Sequence, residues 1–168
     1  MAERRIELKS PADCSKAEME LFYDRTRRGD EVSLVGLRAR IKDAKTLAFL
    51  VIQGIVVATG AIKRPLPSYR QSTLDKTGIA LPEAVFPYEL GWIYVLPEYE
   101  KQGHGKALVA ALLASIEGKG VFATTRTNNE GMNLILPERF EFSAAGDTFL
   151  ARDGKHYLRL YTRQGEIS

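Results

Sequence analysis

EYEKQGHGKALVAALL, residues 98–113, sets two glycines and two lysines at the head of a run with helical periodicity. Leu108, Leu112 and Ile116 fall on one stripe, and Gly118 is placed to end the run. Just upstream, ELGWIYV at 89–95 reads as a strand that Pro97 closes. The stretch is therefore the joint of a strand, a short loop and a helix. A helix start offers N–H groups with no intrahelical partner and the positive end of the macrodipole, so it stabilises an anion without any special side chain. Gly103 and Gly105 let backbone and ligand approach closely, and Lys101 and Lys106 add positive charge at the same mouth. The loop is predicted to hold a phosphate.

Spacing decides which phosphate. A nucleoside-triphosphate loop needs glycine five residues before its Gly-Lys pair and Ser or Thr after it; here those positions are Glu100 and Ala107. A dinucleotide fingerprint needs a third glycine where Leu108 stands, and no acidic residue ends a second strand at the expected distance. Both readings fail.

Outward from this joint the chain alternates between strand and helix signals. RIELKS is a candidate first strand. Ser15 with Glu18 forms a capping box for a helix that Gly29 ends, and a second helix is predicted after Ser33, with Leu34, Leu37, Ile41 and Ala44 on one face. Residues 46–62 carry no charge, but Gln53-Gly54 interrupts them, which favours a hairpin of core strands over a membrane span of ~20 residues. The segment 63–88 contains four prolines and is expected to be mostly irregular, with room for one short helix. Beyond residue 118, GVFATTR reads as a buried strand, a helix is expected near Asn129, and Asp153-Gly154 joins two final strands. No repeat or linker is visible, so residues 1–168 are read as a single domain of α/β class, a mixed sheet with helices on both faces.

Composition narrows the function classes. At 168 residues, 45% hydrophobic and 27% charged, the chain can bury a real core and is not of disordered type. The net charge of +3 suits an anionic ligand without demanding nucleic acid. The single Cys14 excludes an internal disulfide framework and suits a cytoplasmic location. No apolar core follows the basic N-terminal residues, so no secretory signal is expected, and no metal-ligand spacing is present.

WIYVLPEYEKQGHGKALVAALL resembles the acyl-CoA-binding motif of the GNAT superfamily of N-acetyltransferases, with Val95 and Pro97 ending the strand and Gly103 and Gly105 at the required spacing. VFATTRTNNEGMNLIL resembles that family's next strand and the Asn that opens the following helix, and the order of elements is also similar. The resemblance implies the GNAT acyl-CoA N-acyltransferase fold, with a mostly antiparallel twisted sheet, and acetyl-CoA as cosubstrate. It implies that Lys101, Gln102, Gly103, His104, Gly105 and Lys106 hold the pyrophosphate. By the same likeness the backbone of Ile93, Tyr94 and Val95 meets the thioester end, a backbone amide there serving the oxyanion, and Asn129 meets the pantetheine arm. Glu100 stands where the family carries Gln or Arg; its carboxylate is expected to point away from the pyrophosphate.

Acetyl transfer needs a neutral amine, and amines of pKa ~8 to ~10.4 must first lose a proton. Glu89, six residues before Val95, matches the position of a glutamate that serves many GNAT enzymes as base, directly or through water. The family's thiolate-protonating Tyr is absent, since Ile135 or Leu136 occupies its position, and Pro137 also departs from the pattern. The acceptor is a primary amine on a small molecule or a peptide, approached by residues 28–32 and 64–88. Two alternatives stay open: an acyl-CoA-binding regulatory module with weak catalysis, and an acetyltransferase acting on aminoacyl-tRNA. Homodimer formation is likewise open.

Overall fold

Strand β4 spans Tyr88–Val95. The structure, a computed structural model, describes residues 3–29 and 32–166. The chain forms two compact units, Met1–Arg64 with Leu90–Glu117, and Pro65–Glu89 with Gly118–Ser168, and β4 contributes residues to both.

The first unit holds β1 (Arg4–Lys9), α1 (Lys16–Arg27), α2 (Leu37–Lys42), β2 (Thr46–Ile52), β3 (Ile55–Lys63) and, following β4, α4 (His104–Ala114). β1 pairs antiparallel with β2, and β2 with β3. The β2–β3 turn has positive φ at both central residues, Gln53 (50°) and Gly54 (78°), the twist that a two-residue hairpin requires. Leu96 N–H donates to the Val57 carbonyl at 2.9 Å, and a Cβ at Gly60 would meet Ile93, so β4 runs antiparallel to β3.

Side-chain alternation shows where the helices lie. Leu47, Phe49 and Ala61 face a core shared with Phe22 of α1 and with Leu37 and Ile41 of α2. Gly60, one residue off Ala61 and therefore on the opposite face, is approached by Leu112 of α4. Helices thus cover both faces of this half of the sheet. The capping box that opens α1 is present, with Ser15 Oγ accepting from Glu18 N–H at 3.1 Å and Glu18 Oε1 accepting from Ser15 N–H at 2.9 Å. α2 begins later than expected. Gly36, at φ 68°, delays it to Leu37, and Leu34, expected on its buried face, is 58% exposed.

The second unit holds α3 (Pro67–Thr77), β5 (Val121–Arg126), α5 (Glu130–Phe140), β6 (Ser143–Leu150) and β7 (Tyr157–Arg163). The start of β4 pairs parallel with β5, β5 antiparallel with β7, and β7 antiparallel with β6. Phe122 and Leu160 pack with Leu81, Phe86 and Tyr69, which places α3 on their face. Tyr161, next to Leu160 and so on the other face, reaches Asn133 of α5 at 2.6 Å. The 63–88 segment is more regular than its prolines suggest, because Pro67 sits at a helix start, where proline is favoured, and Gly78 closes eleven helical residues at φ 79°. α5 continues through Pro137. Among the described residues no helix is long and apolar enough to cross a membrane.

Candidate active site

Each unit places its own candidate residues through local structure. In the first unit β4 runs into a 3-10 turn, Pro97–Tyr99, and the backbone then passes through left-handed conformations at Lys101 (φ 61°) and Gly103 (φ 82°). Gly103 is the N-cap of α4 and offers no side chain, so the cap leaves the first-turn amides to other acceptors; Ala107 N–H already donates to the Gly103 carbonyl at 3.1 Å. The amides of His104, Gly105 and Lys106 therefore make up the donor end of an eleven-residue helix, with no intrahelical acceptor. Gly105 has an ordinary φ, and a Cβ built on it would stand 3.8 Å from Val95 Cγ2 and 3.9 Å from Ile93 Cγ2. At the corner between helix start and strand end the Gly105 backbone is not covered by a side chain of its own.

Lys101, Gln102 and Lys106 are exposed at this corner, and Gln102 Nε2 donates to the Glu98 carbonyl at 3.4 Å. Glu100 is exposed. His104 turns inward: it is buried, its Nδ1 lies 3.3 Å from an Arg4 guanidinium nitrogen, and its ring is 6.3 Å from that of Tyr99. Burial, assisted by Arg4, pushes the imidazole below its ordinary value of 6.5. Of His104, then, only the backbone faces the donor end.

β4 itself is irregular. Trp92 has φ 55°, a left-handed conformation rarely adopted by a bulky residue. A Cβ at Gly91 would collide with Lys63 Cδ at 2.9 Å, while Lys63 Nζ lies 4.7 Å from the Trp92 ring centroid. Two consecutive residues facing one neighbour mark a β-bulge. Trp92 packs edge-to-face on Phe22 at 6.3 Å and is part of the α1–α2 core.

In the second unit Glu89 is buried at 3% exposure, and its Oε2 accepts the Tyr69 hydroxyl at 2.9 Å. Asn129 is an exposed N-cap: its Oδ1 accepts from Met132 N–H at 3.1 Å, and the helix it opens is anchored four residues on by Asn133. Leu136, one of the two residues at the position of the absent Tyr, is buried in the core. Of the residues assigned to acceptor approach, Asp30 and Glu31 lie outside the described residues. Tyr69 and Arg70 escaped sequence reasoning, because a Tyr-Arg pair in a proline-flanked segment carries no periodic or motif signal. Among the described residues no group of three or more His, Cys, Asp or Glu side chains is arranged to hold a metal ion.

A glycine-led helix start at the end of a bulged strand of a mixed sheet is the frame of an N-acetyltransferase. A sequence profile of the acetyltransferase (GNAT) family matches residues 7–135, so the chain belongs to that family. Solved structures agree on the fold. The ribosomal-protein-S18-alanine N-acetyltransferase from Escherichia coli is 16% identical with a TM-score of 0.65, covering 98% of this chain and 96% of its own. An acyl-CoA N-acyltransferase from Pseudomonas aeruginosa is 13% identical with a TM-score of 0.64, covering 96% and 99%. An acetyltransferase of the GNAT family from Streptococcus pneumoniae is 16% identical with a TM-score of 0.63, also covering 96% and 99%. No protein of curated function matches the chain.

Proposed function

We propose that this chain transfers an acetyl group from acetyl-CoA directly to a primary amine in the cytoplasm, and that residues 1–168 act as one acetyltransferase domain. The observation that carries the reading is the start of α4: a side-chain-free cap at Gly103, left-handed backbone at Lys101 just before it, and bare backbone at Gly105 beside the end of β4. Such a corner suits a pyrophosphate, held by the amides of Gly103 to Lys106 and assisted by Lys101, Gln102 and Lys106. The family profile runs through residues of both units, which supports a single domain. The lone Cys14 supports a reducing compartment.

In the reaction the amine nitrogen attacks the thioester carbonyl carbon and the C–S bond breaks. Glu89 takes the proton from the amine, directly or through water, and CoA leaves as thiolate to be protonated by water. A thiol of pKa ~8.5 departing near pH 7 forgoes about 1.5 units, or roughly 2 kcal/mol, so a dedicated acid is dispensable. Backbone N–H groups at Ile93 to Val95 supply the oxyanion donor, since a bulge at Trp92 disturbs the ladder just before them. Asn129 contacts the pantetheine arm.

The test is thioester cleavage of acetyl-CoA with three amines: an alanine-initiated peptide, free lysine and spermidine. Glu89→Gln is expected to lower kcat about 100-fold, within the range for loss of a general base, while acetyl-CoA affinity measured by calorimetry survives. Parent-like turnover in Glu89→Gln removes Glu89 from the mechanism. Acetyl-CoA binding without turnover of any amine assigns the chain to a binding module instead.

A further inference from the structure

The segment between β3 and β4 is built to deliver one hydroxyl. Tyr69 lies in the first turn of α3, whose start Pro67 fixes. The neighbouring Arg70 donates to three carbonyls, those of Leu81 at 2.7 Å, Phe86 at 2.8 Å and Pro87 at 3.3 Å. It thereby ties the helix to the chain that leads directly into β4. The Tyr69 ring stacks on Phe122 of β5, with centroids 6.4 Å apart and planes 22° from parallel. Phe122 is in turn the register partner of Glu89. Thr73 Oγ1 donates to the Tyr69 carbonyl at 2.9 Å, and Thr77 Oγ1 to the Thr73 carbonyl at 2.7 Å.

Backbone, ring and register are thus each constrained by a separate contact, and together they place the hydroxyl on Glu89 Oε2 at 2.9 Å. Burial and the adjacent carboxylate push the hydroxyl well above its ordinary value of 10, so it remains protonated and a donor throughout the working pH range. A buried carboxylate on a flexible two-methylene stem samples several orientations unless another group fixes it, and a base that must meet an amine loses rate in proportion.

We propose that Tyr69 is a positioning residue for the transfer reaction, its hydroxyl holding the Glu89 carboxylate in the one orientation from which it accepts the acceptor's proton. The proposal rests on the reading of Glu89 as base. The proton passes from the amine to Glu89, and Tyr69 keeps its own proton in every step. It acts through Glu89 and touches neither substrate.

The experiment compares the parent, Tyr69→Phe, Glu89→Gln and the double variant in thioester cleavage with the same three amines. Phenylalanine keeps the stack on Phe122 and removes only the hydroxyl. Tyr69→Phe is expected to lower kcat roughly 10- to 100-fold, the cost of a misplaced base, with KM for acetyl-CoA unchanged; the thermal midpoint falls as well, because the buried Glu89 carboxylate loses a donor. In the Glu89→Gln background the same change should cost nothing further, because the group it positions is gone. An equal loss in both backgrounds overturns the proposal in favour of a packing role. Loss of turnover in Glu89→Gln with none in Tyr69→Phe overturns the positioning role and leaves the base standing. Parent-like turnover in Glu89→Gln, or no turnover by the parent, refutes the base and the positioning role with it.

Discussion

Replacing Gly105 by alanine separates what the fold needs from what a ligand needs. Gly105 does not have a positive φ, and an added Cβ would make ordinary contacts of 3.8 Å to Val95 and 3.9 Å to Ile93. Nothing in the protein resists the methyl group. Glycine inside a helix costs about 0.5–1 kcal/mol relative to alanine, so Gly105→Ala should stabilise by up to that amount. For a chain of this size that is a rise in Tm of roughly 1–4 °C. The same methyl group narrows the corner above Ile93 and Val95 that the pyrophosphate is proposed to occupy. Losing one charged hydrogen bond there, at about 1.5–3 kcal/mol, weakens acetyl-CoA binding roughly 10- to 100-fold. Gly103→Ala is the control with the opposite stability signature. Its φ of 82° strains alanine while its Cβ would meet nothing within 4 Å, so it should lose about 1–2 kcal/mol from backbone conformation alone. Thermal melts and calorimetric titration with acetyl-CoA read both quantities. A Gly105→Ala protein that melts no lower than its parent and binds acetyl-CoA within about twofold of it would refute the reasoning, because a worthwhile charged contact changes affinity more than that.

Two further outcomes follow from charges near α4. Glu100→Gln removes an exposed carboxylate from the loop and should tighten acetyl-CoA binding about two- to fivefold at low salt, with the gain shrinking as KCl is added; unchanged affinity at low salt would show that the carboxylate does not sense the ligand. His104 is harder to protonate folded than unfolded, so the unfolded chain binds more protons as pH falls below the ordinary value of 6.5. Its contribution is complete above that value and is lost as pH drops from there toward the depressed folded value. Urea midpoints at about pH 8 and about pH 5.5 should therefore differ less in His104→Gln than in the parent, and equal differences would exclude His104 as a source.

Much of the fold was legible because its signals are local. The capping box at Ser15 and Glu18 and the Gln53-Gly54 and Asp153-Gly154 turns each occupy only a few residues and appear as those residues imply. The α4 stripe is buried at Leu108, Leu112 and Ile116, although the helix ends at Ala114, before Ile116 and the expected stop at Gly118. The glycine spacing was legible for the same reason. α3 was harder to see: its buried positions include Thr73 and Thr77, whose hydroxyls are satisfied by carbonyls one turn back, so polar residues occupy the face that a hydrophobic pattern would mark. The Tyr69–Glu89 contact spans twenty positions and depends on α3 docking on Phe122, which no spacing rule encodes. His104 is assigned with its neighbours to the pyrophosphate, yet its ring meets Arg4 a hundred positions away.

The bulge at Trp92 was invisible for a different reason, and it organises the site most directly. A regular strand would put Gly91 and Ile93 on one face and Trp92 on the other. Here Gly91 and Trp92 both turn toward Lys63, and the parity of all later residues is inverted. Ile93 consequently points at α4, where a Cβ at Gly60 would come within 2.5 Å of Ile93 Cδ1 and one at Gly105 within 3.9 Å of its Cγ2. Gly60 on β3 makes room for that side chain, while Gly105 on α4 stands at ordinary contact distance from it. Left-handed backbone at a tryptophan costs on the order of 1–2 kcal/mol, and burial of the indole against Phe22 within the α1–α2 core offsets it. The strain is thus held by a large apolar anchor one residue before the amides proposed to meet the thioester. Because a bulge shifts register without changing residue type, hydrophobic alternation cannot report it, although Gly60, Gly91 and Gly105 all mark its surroundings.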